Sequence, residues 1–144
     1  MSKLKYLILF IAVVAGVSCA SNKKINDMKE FINETIRCTE VFIMQISESV
    51  NETDAVSTIE AFGKSITMLE EKSSVIKKKY PDIDSLFEEP PAELEHDLDK
   101  LHAVEKNFKD AFESDKVREL RKDSRVQSAF MNLINELERI KFFQ

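Results

Sequence analysis

The chain has 144 residues, 21 basic against 26 acidic, and a net charge of −5. That balance excludes a dedicated nucleic-acid binder, because holding phosphates takes a basic patch. Two glycines and three prolines are too few for a strand-rich fold, whose tight turns are built on glycine and Asn-Gly pairs; good helix formers fill the remainder, and one all-α domain is expected.

The first twenty residues differ from the rest. Lys3 and Lys5 precede an unbroken apolar run from Tyr6 to Val17, and the small residues Gly16-Val17-Ser18-Cys19-Ala20 follow. A helix of about twelve residues spans only ~18 Å, whereas a bilayer core takes roughly 20 apolar residues. The pattern is that of an export signal. It resembles the signal peptide of bacterial lipoproteins, in which an aliphatic residue and small residues lead into a cysteine. Val17-Ser18-Cys19 matches that ending, and Gly16 stands where leucine is more usual.

The resemblance implies cleavage before Cys19, which would then carry lipid. Residues 1–18 would be the signal peptide, 19–24 a lipidated tether and 25–144 the helical domain. One acyl chain holds a membrane marginally and several hold it stably. No aspartate follows Cys19, so the outer membrane is the expected address in a host with two membranes. Two other routes stay open: cleavage after Ala20, reading Ser18-Cys19-Ala20 as small-x-small and releasing a soluble protein, or retention of the segment as an anchor. Cleavage before Cys19 removes Lys3 and Lys5 and moves the net charge from −5 to −7.

The first mature helix is expected over about 24–50. Ile25, Met28, Ile32, Ile36, Thr39, Ile43, Ile46 and Val50 recur at steps of three and four, the spacing of one helix face. Phe31, Cys38, Val41, Phe42 and Met44 widen that face. Either this helix is the central one, or part of it meets a partner. Phe31, Val41, Phe42 and Met44, with Phe142 and Phe143 at the C-terminus, are therefore candidate partner contacts, and plain core is the alternative. Cys38 lies among apolar neighbours and is expected to be a buried thiol.

A second helix is expected over about 54–79, on Val56, Ile59, Phe62, Ile66, Leu69, Ser73, Ile76 and Tyr80. Lys77, Lys78 and Lys79 suit its negative end, and Pro81 stops it. In the connection 81–91, Ile83, Leu86 and Phe87 predict a short turn pinned on the end of the domain. A third helix starts at Pro90 or Pro91 and carries Leu94, Leu98, Leu101, Glu105, Phe108 and Phe112. The fourth begins near Asp115, with a kink or restart at Ser124. There Ser124-Arg125-Val126-Gln127 offers a capping box, and Val126, Phe130, Leu133, Leu137 and Ile140 follow. Three to four long amphipathic helices with mostly short links predict a single up-down helical bundle.

Chemical motifs are sparse. Eight acids and no Lys or Arg lie between Asp82 and Asp99, but a calcium loop wants a glycine turn, and the solvated surface is the simpler reading. Glu93/His96 and Asp99/His102 have the carboxylate-x-x-His spacing of di-iron bundles, which take such pairs from two helices; here both fall on one. Glu95, Asp99 and His102 share a helix flank and are the weak candidates for a metal. His102 with Met28, Met44, Met68 or Met131 could in principle hold haem, although methionines at helical spacing are ordinary core. Nucleophile elbows, phosphate loops and zinc-protease motifs are absent, so a non-catalytic protein without cofactor is expected. The favoured function is a membrane-tethered envelope lipoprotein whose bundle binds or helps assemble another protein. The alternative is an exported bundle that binds a small ligand or a divalent cation through the inward polar residues Thr39, Ser73 and Glu105.

Overall fold

The computed structural model describes residues 22–140, and these are all-helical apart from their connections. Helix α1 spans Asn22–Glu48. It therefore includes Asn22 to Lys24, which the sequence had assigned to the tether. Lys24 is buried and donates to the Asp82 carboxylate at 2.8 Å, so it pins the start of α1 onto the loop beyond α2.

The turn after α1 is made by side chains. The Ser49 hydroxyl donates to the Gln45 carbonyl at 2.9 Å. Asn51 Oδ1 accepts from the Asp54 N–H at 2.9 Å, which satisfies one of the free donors at the start of α2. Helix α2 spans Glu52–Lys79 and closes with the Tyr80 N–H on the Ile76 carbonyl, just before Pro81. One turn, α3 (Ser85–Glu88), follows; Ile83 and Leu86 are buried there and seal the end of the core. Helix α4 spans Ala92–Phe112 with Pro91 at its N-cap.

The last quarter of the chain is two helices, α5 (Asp115–Leu120) and α6 (Ser124–Arg139), separated at Arg121–Asp123. Asp123 caps α6. Its Oδ1 accepts from the Arg125 N–H at 2.9 Å and from the Val126 N–H at 3.4 Å. The N-cap is therefore Asp123 and not the predicted Ser124, and no capping box forms; a carboxylate is a favourable acceptor at the positive end of a helix.

Side-chain pairs give the helix directions. Asp27 meets Lys79 and Tyr80, Glu34 meets Lys72, and Phe42 stacks on Phe62, so α1 and α2 are antiparallel. Asn33 meets Asp97, and Phe42 meets Phe108, so α4 runs parallel to α1. Gly63 faces Leu133, and Glu70 faces Arg139, so α6 runs parallel to α2. Helix α1 packs against α2, α4 and α5, while α6 packs on α2. One hydrophobic cluster joins all of them. Among the described residues no helix is long and apolar enough to cross a membrane.

Candidate functional site

The inward polar residues offer little to a ligand. Thr35 and Thr39 donate to carbonyls one turn back in α1, and Ser73 donates to the Glu70 carbonyl. Each buried hydroxyl is satisfied within its own helix. Glu105 is different. It is half-buried on α4 between Leu101 and Phe108, and burial pushes its carboxyl up from 4.5 to about 7.

The metal candidates do not converge. Glu95, Asp99 and His102 are all exposed on α4. Among the described residues no group of three or more His, Cys, Asp or Glu is gathered to hold an ion. Three of the eight acids of the run hold the fold together instead: Asp82 binds Lys24, Asp84 binds Lys77, and Asp97 accepts from Asn33. The methionines considered for haem are scattered, with Met28 fully buried and Met44, Met68 and Met131 exposed on three different helices.

The partner-contact candidates divide. Phe31 and Phe42 are each only 3% exposed, so they are core, and their proposal as contacts is corrected. They widen the apolar face of α1 because this helix packs against several neighbours. Val41 and Met44 are 41% and 51% exposed and remain available. Phe142, Phe143 and Cys19 lie outside the described residues. Cys38 is a free, half-buried thiol packed against the core.

Two further exposed apolar residues, neither of them among the contact candidates, stand on the second helix of the pair. Met68 and Val75 on α2 are 58% and 64% exposed. They line a groove of about 410 Å³ between α1 and α2. Their signal was present in the sequence: each sits one residue before a core position, Leu69 and Ile76, and the two are seven residues apart. The groove rim is acidic, with Asp27, Glu30, Glu34 and Glu71. Hydrogen bonds from Lys79 and then Tyr80 hold the Asp27 carboxyl below its usual range. A second opening, lined by Cys38, Val41, Ala61 and Ser65 among others, continues along the same helix pair.

Such a surface can bind. It presents no nucleophile paired with a base and no gathered ligand set. Comparison with protein-family models, with curated proteins and with solved structures finds no match to this chain.

Proposed function

We propose that this chain is a lipid-anchored protein of the cell envelope, in which an up-down bundle of four longer helices holds another protein and performs no catalysis. The observation that carries the reading is the position of Cys19. It ends a short apolar segment that reads as an export signal, and only Ala20 and Ser21 separate it from Asn22, the first described residue of α1. A chain of that length reaches at most about 10 Å in any conformation. A lipid on Cys19 would therefore keep the α1 end of the domain close to the bilayer surface. In a host with two membranes, the outer membrane is the address this reading favours.

Self-satisfied hydroxyls in the core and exposed apolar side chains on α1 and α2 support protein binding over ligand binding. The test of the anchor is Cys19→Ala, followed by fractionation and intact mass. The expected result is loss of acyl mass, with the protein either released to the soluble fraction or left with its signal segment attached. Unchanged mass and unchanged membrane association would overturn the anchor.

A further inference from the structure

The outer face of the α1–α2 pair has the shape of a seat for a third helix. On α2 the exposed residues Ala61, Met68 and Val75 stand seven apart. On α1, Glu34 and Val41 are seven apart, and both line the same seam, as does Arg37. Seven-residue steps on two adjacent antiparallel helices keep both rows facing one direction, which is the condition for knobs from another helix to settle between them. From Ala61 to Val75 the row is about 21 Å long at 1.5 Å per residue, or some four turns. Four of the six large apolar side chains exposed among the described residues, Val41, Met44, Met68 and Val75, lie on these two helices.

Charge selects the occupant. The end of the groove nearest Val75 is rimmed by Asp27, Glu30, Glu34 and Glu71, against Lys72 and the neighbouring Lys79. Lys72 is held by Glu34, and Lys79 by Asp27. Glu30 and Glu71 have no ion-pair partner among the described residues. An apolar floor with acids left over at one end matches a helix that has an apolar stripe and cations at one end.

We propose that the α1–α2 groove docks a cationic amphipathic helix of a partner protein, with its apolar stripe on Met68 and Val75 and its lysines or arginines on Glu30 and Glu71. This rests on the reading that the domain holds another protein. It does not depend on lipid at Cys19, whose test is separate.

The experiment uses the full chain, in phosphatidylcholine nanodiscs if it purifies with membrane and in buffer if it purifies without, with empty nanodiscs or buffer as the blank. The probe is a fluorescent peptide about four helical turns long, with leucines at seven-residue spacing and lysines at one end; its twin carries glutamates in place of the lysines. Anisotropy titration should show saturable binding of the lysine peptide and about tenfold weaker binding of the glutamate twin. Met68→Lys with Val75→Lys, both at exposed positions, should weaken the lysine peptide by about tenfold or more. Glu30→Gln with Glu71→Gln should weaken it about threefold and flatten its salt dependence. Met131→Lys, exposed on α6, should change nothing. Equal binding of the two peptides, or of wild type and the Met68/Val75 variant, would overturn the proposal. So would a dimer in analytical ultracentrifugation that the Met68/Val75 variant abolishes, because a second copy would then be the occupant.

Discussion

Among the described residues, Glu105 is the acid whose carboxyl burial lifts clearly above its ordinary value. Its carboxyl titrates near 7 in the folded chain and near 4.5 when free. Between those values the folded state binds more protons than the unfolded state, so this residue's contribution to stability falls as pH rises from about 4.5 to about 7, and it is fully lost above. The full shift corresponds to about 3 kcal/mol, and water reaching a half-buried site lowers that to roughly 1–2 kcal/mol. Glu105→Gln keeps the shape and removes the titration. Urea unfolding should find the variant more stable by that amount at about pH 8 and level with wild type at about pH 4. Asp27 and Asp82, held low by Lys79 and by Lys24, act below 3.8 and leave this window alone. A constant difference across the pH range would mean that Glu105 is already well solvated.

At the scale of the element, α2 contains a glycine where it faces α6. Gly63 costs helix stability through its backbone freedom. A Cβ there would meet Glu136 Oε2 at 3.9 Å and Leu133 Cδ1 at 4.0 Å, ordinary contact distances. Gly63→Ala should therefore stabilise the protein by about 0.5–1 kcal/mol. A loss instead would show that α2 and α6 sit closer than these distances allow. The helices themselves were largely legible in the sequence. The 3–4 spacing from Ile25 to Ile46, and the stop at Pro81, come from interactions within one segment. What was not legible depends on neighbours. Phe31 and Val41 both lie off the main stripe of α1, yet Phe31 is core and Val41 is surface. Periodicity reports which way a side chain points, not how many helices stand there. The seven-residue spacing of Met68 and Val75 is in the sequence, but only the packing of α1 against α2 turns them into one side of a groove. The displaced cap at Asp123 is a smaller case: two adjacent residues could both accept, and the geometry of the Arg121–Asp123 turn chose between them.

For the whole molecule, five phenylalanines tie the long helices together. Phe42 and Phe62 stack at 4.5 Å, Phe108 lies 5.4 Å from Phe42 and 5.9 Å from Phe62, and Phe112 meets Phe130 edge-on at 5.1 Å. Phe108 and Phe112 are themselves 6.2 Å apart. The rings thus form an unbroken path from α1 and α2 through α4 to α6. Its far part is capped from outside by the Arg121 guanidinium, 4.8 Å from the Phe112 ring. Phe108 is the junction, touching three of the other four rings, and it is only 2% exposed. Truncating it removes the aromatic contacts and leaves a cavity shared by three helices, a cost of about 3–5 kcal/mol. A domain of this size has about 5–15 kcal/mol in total, so Phe108→Ala should unfold at far lower urea with far-UV circular dichroism as the readout. Phe108→Leu, which refills most of the volume, should recover more than half of the loss. Phe112→Ala should cost less than Phe108→Ala, because that ring is half-buried. If Phe108→Ala cost under about 1 kcal/mol, the helices would have to be joined mainly by the aliphatic layers around Ile59, Ile66 and Leu133, and the ring path would be a consequence of the packing instead of its centre.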